Sequence, residues 1–162
     1  MKIYLIRHGI AEDHSTKPDA ERVLTDRGKE KMAKGVEGMR KLGIQLDLIL
    51  SSPLKRARQT ADIVAAGLSV GKIEEVAELS SGTNPSLVVN VIRRYRECKA
   101  IALVGHEPDL SRLTSFLLTG SANSCDFDLK KGGMAGIETE FSGNSLHCIL
   151  ASFLPPKVLR SL

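Results

Sequence analysis

The chain has 162 residues, 42% apolar and 26% charged, a size and balance expected of a single soluble domain spanning residues 1–162. Aromatic residues make up only 4% and Trp is absent, which argues against a stacking platform for single-stranded nucleic acid. The net charge of +4 fits an anionic ligand without demanding DNA or RNA.

Three dispersed cysteines with no C-x-x-C pair predict reduced thiols. Met1 runs almost directly into an apolar stretch with no leader-like region, and no apolar run approaches the roughly 20 residues of a membrane span. The expectation is a cytoplasmic protein without membrane contact.

The apolar pattern alternates strand with helix, predicting an α/β fold: a three-layer α/β/α sandwich with a mostly parallel sheet. Ile3 to Ile6 reads as a strand, and the polar, Pro18-containing stretch from Glu12 to Arg22 as a loop. Thr25 caps a predicted helix from Asp26 to Leu42, with Met32, Val36 and Met39 on its inner face and Gly43 ending it. Asp47 to Leu50 is a second strand. Ser52 and Pro53 read as the cap and first residue of a second helix, which turns Ala57, Ala61 and Val64 inward. Lys72 to Val76 is a third strand. Asn84-Pro85 opens a third helix with Leu87, Val88, Val91, Ile92 and Tyr95 expected inside. Ala100 to Val104 is the most apolar strand, expected at the centre, and a fourth helix follows Pro108 to about Leu118. Met134–Glu140 and Ser145–Phe153, divided by Ser142-Gly143-Asn144, predict an antiparallel C-terminal hairpin.

Two strand ends share one layout. LIRHG at positions 5–9 and LVGHE at 103–107 each end an apolar strand on a histidine. A third strand end, LILSSPLKRARQT, delivers Arg56 and Arg58 into the first turns of a helix. Ligands of open α/β sheets bind outside the carboxyl ends of the strands, and helix N-termini there favour anions. Arg suits phosphate because its planar fork holds two oxygens and stays charged, while a neutral imidazole is a competent nucleophile near pH 7. Position alone does not choose between Arg56 and Arg58.

The remaining histidines read blandly: His14 as an exposed loop residue and His147, beside Cys148, as part of a terminal strand's packing. His147-Cys148 lacks an Arg six residues on, where Leu154 stands, and so is no cysteine-phosphatase loop. Gly71-Lys72 lacks the glycine and hydroxyl of a P-loop, and no G-x-G-x-x-G follows a strand. The cationic Arg7 beside His8 opposes a divalent metal.

The combination of R-H-G, S-P-x-x-R-A-x-Q-T about 45 residues later and a strand-ending G-H near position 106 resembles the histidine phosphatase superfamily, which includes the phosphoglycerate mutases. Element order matches over essentially the whole chain. Only about eight residues separate Val76 from Pro85, which leaves no room for a helical lid. G-H-E-P-D-L at 105–110 and L-K-K-G-G at 129–133 add likeness to the small SixA-type phosphohistidine phosphatases.

The resemblance implies that His8 attacks phosphorus and is transiently phosphorylated, with Arg7, Arg56 and His106 holding the phosphoryl oxygens. Arg56 is selected over Arg58 as the Arg preceding A-x-Q-T. Glu78 is the implied general acid; Glu107 and Glu12, nearer to these residues in sequence, read as surface carboxylates. No metal or other cofactor is expected. The implied partner is a histidine-phosphorylated protein, such as a phosphotransfer domain of a signalling relay, acted on by a monomer. A phosphorylated small molecule is the alternative substrate, and a non-catalytic phosphate-binding module the alternative of another class.

Overall fold

The computed structural model describes residues 1–13, 15, 17–143 and 145–162. His14 therefore lies outside the described residues, as does Asn144 of the hairpin turn.

Six strands form one sheet in the order β3-β2-β4-β1-β5-β6. Four are mutually parallel: β1 (Lys2–Arg7), β2 (Leu48–Ser51), β3 (Ile73–Glu75) and β4 (Ala100–Gly105). The last two, β5 (Met134–Ser142) and β6 (Ser145–Leu154), run antiparallel as a hairpin against β1.

Alternation along the strands separates two cores. Ile3, Leu5, Leu48, Leu50, Ile101 and Leu103 face α3 (Pro85–Arg94) and α4 (Asp109–Thr119). Ile6, Ile49, Ala102 and Val104 face α1 (Asp26–Lys41), α2 (Lys55–Leu68) and α5 (Pro156–Ser161). β4 is buried at every position, as its continuous apolar run requires of a strand covered on both faces. The result is the layered mixed α/β fold expected from the sequence.

Thr25 caps α1 by accepting the Gly28 N–H at 3.0 Å. The second helix differs from expectation. α2 begins at Lys55, after Leu54, with no side-chain cap, so Ser52 and Pro53 precede it. Ser52 instead extends the β2 path, its N–H reaching the Val104 carbonyl at 2.9 Å, and its hydroxyl serves a tertiary contact described below.

In α3 the buried stripe is Pro85, Val88, Val89, Val91 and Ile92, whereas Leu87 is 49% exposed. At 100° per residue, Leu87 sits on the flank of a stripe centred on Val88 and Ile92. The short α5 lacks a length over which periodicity reads; α1 accepts it closely through Gly38, where a Cβ would lie 1.9 Å from the Leu159 carbonyl oxygen. No helix among the described residues is long and apolar enough to cross a membrane.

Candidate active site

Strand register builds the site. Arg7 pairs with Gly105 across β1 and β4, and Ser51 with Val104 across β2 and β4. One residue further along each chain stand His8, His106 and Ser52, at three adjacent carboxyl ends. The His8 and His106 ring centroids are 5.1 Å apart. Both rings are nearly covered, at 6% and 3% exposure, and Arg56 is buried beside them at 4%.

The hydrogen bonds set the His8 tautomer. Nδ1 lies 2.7 Å from the Gly9 carbonyl oxygen, which can only accept, so Nδ1 carries the proton. Nε2 is left with its lone pair, and the Arg56 Nε–H donates to it at 3.3 Å. Burial pushes His8 down to about 3; the Gly9 bond opposes this, and the charges of Arg56 and Arg7 and the neighbouring His106 add to it. His8 is therefore a neutral, nucleophilic imidazole at pH 7.

His106 is lowered to about 4, first by burial and then by Arg56 and Arg7, with Asp19 opposing. Its Nε2 lies 2.8 Å from the Ser52 hydroxyl, which itself accepts the Leu54 N–H at 3.3 Å. The other ring nitrogen, Nδ1, is buried without a partner, as is Nε of Arg7. When Ser52 donates to Nε2 the ring proton sits on Nδ1, and that N–H and the Arg7 Nε–H together form an environment that an oxyanion completes.

Each of these groups is clamped from behind. The Arg7 terminal nitrogen donates to the Leu129 carbonyl at 2.8 Å, and Gly132 donates its N–H toward the Arg7 and His8 carbonyls at 3.1 and 3.2 Å. Gly132 has φ +77°, so glycine suits the turn that wraps this strand end. The A-x-Q-T part of the motif is a second clamp: Thr60 accepts the Gly9 N–H at 3.1 Å and Gln59 accepts the Leu24 N–H at 2.7 Å. Across from them Gly28 admits the loop after His8, since a Cβ there would stand 2.0 Å from the Ile10 carbonyl oxygen.

A feature not read from the sequence is Asp19. The polar stretch after Ala11 closes on itself through an Ala11–Leu24 bridge, with Arg22 buried inside and donating to the Glu12 carbonyl at 2.7 Å. This loop carries Asp19 over the site. The Asp19 carbonyl and carboxylate accept from the two terminal nitrogens of Arg56 at 2.7 and 3.0 Å, and the other carboxylate oxygen pairs with Arg22 at 2.8 Å. Burial acts to raise the Asp19 pKa, but the hydrogen bonds from Arg22 and Arg56 prevail and hold it below the usual carboxylate value. In hindsight the signal was an acid and a base three residues apart, Asp19 and Arg22, inside the loop.

The other sequence candidates are placed as follows. Arg58, two residues beyond Arg56, is 39% exposed and pairs with Asp62 and Glu75 at 3.0 and 3.1 Å, away from the histidines. Glu78 lies in a short 3₁₀ turn (Ala77–Leu79), 3.9 Å from Arg94, and lines a narrow recess together with His106. Glu107 is not a surface carboxylate: one oxygen is buried without a partner, and burial raises its pKa against hydrogen bonds from Ser111 and the Arg7 charge. Glu12 is bound to Lys17 at 2.9 Å and to the Val23 N–H at 3.2 Å within its loop. His147 is exposed on β6, at the opposite end of the sheet from His8, rather than packed.

Comparison with known proteins adds to this geometry. The family model for the histidine phosphatase superfamily, branch 1, matches residues 3–101. An uncharacterized protein of Picosynechococcus sp. is 32% identical over 143 residues, covering 86% of each chain. The protein histidine phosphatase SixA, solved with tungstate, superimposes with a TM-score of 0.86 at 20% identity, over 97% of this chain and 98% of that one. The Alpha-ribazole Phosphatase of Shigella flexneri gives 0.78 at 18% identity over 96% and 97% of the two chains. The mycobacterial glucosyl-3-phosphoglycerate phosphatase gives 0.75 at 15% over 95% and 99%. With a family model matched over more than half its length and a SixA-like fold throughout, the chain belongs to the histidine phosphatase superfamily.

Proposed function

We propose that the enzyme removes a phosphoryl group from a phosphohistidine side chain on a protein, with no metal ion, in two displacements at His8. The observation that carries this reading is the His8 ring itself, with Nδ1 tied to Gly9 and the Nε2 lone pair turned toward the Arg56 guanidinium, whose Nε–H it accepts at 3.3 Å. In the first step the Nε2 lone pair bonds to phosphorus as the substrate's N–P bond breaks, and Glu78 supplies the proton taken up by the departing imidazole. In the second, water forms a new O–P bond, the His8–phosphorus bond breaks, and the water proton returns to the Glu78 carboxylate. Arg7, Arg56 and the His106 Nδ1–H bind the three non-bridging oxygens, whose charge they stabilise in line with the attack.

A protein substrate is favoured by the short connection beside the strand ends. The chain passes from β3 to α3 through residues 76–84 alone, with only a 3₁₀ turn between them, so no inserted helix stands over the approach to the site on that side. The structural likeness to SixA, solved as a protein histidine phosphatase, agrees with it. The test is a histidine-phosphorylated phosphotransfer domain offered beside a panel of sugar and nucleotide phosphates. Loss of the protein-bound phosphoryl group is expected; brisk turnover of a metabolite with the phosphodomain untouched would overturn it. That second outcome is the small-molecule reading, which the likeness to the ribazole and glucosyl-phosphoglycerate phosphatases favours.

A further inference from the structure

The L-K-K-G-G turn at 129–133 does more than brace Arg7. It forms one wall of a groove of about 400 Å³ that starts at Arg7 and Gly9 and runs out between α1 and α5. Its cations are Arg7, Lys31, Lys130, Lys131, Lys157 and Arg160, and none of its lining residues is acidic. They come from four separate parts of the chain: the end of β1, the inner face of α1, the turn itself and α5. Lys31 stands one helical turn from Gly28, whose contact with Ile10 brings that face of α1 against the loop after His8.

Among the described residues only Lys130 of these cations makes a direct ion pair, with Asp128. Lys31 is held below its ordinary pKa first by Arg27, then by burial and by Arg160 and Lys157, with Glu30 opposing. Lys131 is lowered by burial and by Arg7, Arg22 and Arg56, with Asp13 opposing, so it joins the groove to the candidate site electrostatically. Glu107 and Asp128 act on Arg7 in the same opposing sense. Packing like charges around a concavity costs free energy that a bound anion returns. The groove contains no aromatic side chain on which a base could stack.

We infer that this groove seats an acidic segment of the phosphorylated protein, with Asp and Glu side chains flanking the phosphohistidine lying against Lys31, Lys131, Lys157 and Arg160. The inference rests on the phosphoprotein reading above and extends it to how the partner is chosen. Charges in such a rim select and steer a partner, whereas the cations around His8 bind any phosphoryl group.

The test uses two labelled peptides of equal length, each carrying a phosphonate analogue of phosphohistidine that the enzyme does not cleave. One has Asp and Glu flanks and the other Ser and Gly flanks. Anisotropy is expected to show the acidic peptide binding about tenfold more tightly to the wild-type chain, with the preference fading as salt is added. Lys31→Glu/Lys157→Glu should abolish the preference and Lys31→Gln/Lys157→Gln should reduce it. Both variants should retain turnover of p-nitrophenyl phosphate within about twofold, because neither residue touches the phosphoryl group. Equal binding of the two peptides by the wild-type chain overturns the inference, as does an equal loss of both in the variants. A single-stranded oligonucleotide that outcompetes the acidic peptide would reassign the groove to nucleic acid. Hydrolysis is read apart from binding: failure to cleave any phosphohistidine probe removes the proposed reaction, while the anisotropy still decides what the groove holds.

Discussion

The two ends of the sheet both carry polar groups and use them differently. At the amino ends of β1 and β4 a depression of about 840 Å³ is lined by Met1, Lys2, Lys99, Glu138 and His147 among others. Two of its cations have partners within it: the N-terminal ammonium donates to the Thr139 carbonyl at 2.7 Å, and Lys2 approaches Glu138 at 3.8 Å. At the carboxyl ends His8, Arg56 and His106 are buried, and Arg7 Nε, His106 Nδ1 and one Glu107 oxygen lack partners. Burying a polar donor unpaired costs about 1–3 kcal/mol, so a chain that does so twice at one place is holding those donors for something else. The unfinished hydrogen-bond inventory, rather than the size of the opening, distinguishes the two ends.

The contrast breaks if chemistry survives loss of the carboxyl-end groups. His8→Ala is expected to abolish turnover and to remove any acid-quenched phosphoenzyme formed from a labelled donor. Within α2 the comparison sharpens to two residues: Arg56→Ala should lower kcat by about 10²–10³-fold. Arg58→Ala, whose partners are exposed carboxylates, should change it by less than about tenfold. Equal losses would mean that burial beside His8 is not what matters.

The next effect is on stability. The unfolded chain protonates its histidines near 6.5, whereas folded His106 and His8 do so only near about 4 and about 3. The unfolded state then binds more protons, so their contribution is complete above 6.5 and is lost as pH falls toward those lower values. Denaturant titrations across this window should show the decline, and His8→Ala should reduce it. Bound inorganic phosphate should raise the His106 pKa, visible as a shifted imidazole titration by NMR, because an adjacent anion favours the charged ring. The smallest effect belongs to the other end: His147→Ala should leave turnover within about twofold, since its side chain is exposed and far from His8 in the sheet.

How legible all this was follows from how local each cause is. The strands before His8 and His106 end on motifs within an apolar run, so their positions read directly. Ser52 did not, because Ser-Pro after a strand satisfies the local rules for a cap and first helical residue. What redirected its hydroxyl is His106, 54 residues on. Asp19 was hidden for the same reason: its loop acquires a shape only once Arg22 folds inside and Arg56 arrives from α2. Choosing Arg56 over Arg58 needed the family pattern, since both sit in the first turns of one helix and only the tertiary packing buries one of them. Glu107 read as a surface acid because its half-burial depends on the neighbourhood of Arg7, at the end of the adjacent strand.

The pairing of Arg7 with Gly105 also has a consequence for when the site comes into being. The proposed nucleophile follows Arg7, whose neighbour across the ladder is almost a hundred residues later, so closing that contact is among the most entropically demanding steps of folding. During synthesis a growing chain displays His8 long before β4 exists to hold it. Until then the imidazole is an ordinary solvated one, protonatable near neutrality and surrounded by no guanidinium. Reactivity is thus switched on by completion of the sheet, which makes recovery of turnover after dilution from denaturant a direct clock for the β1–β4 union.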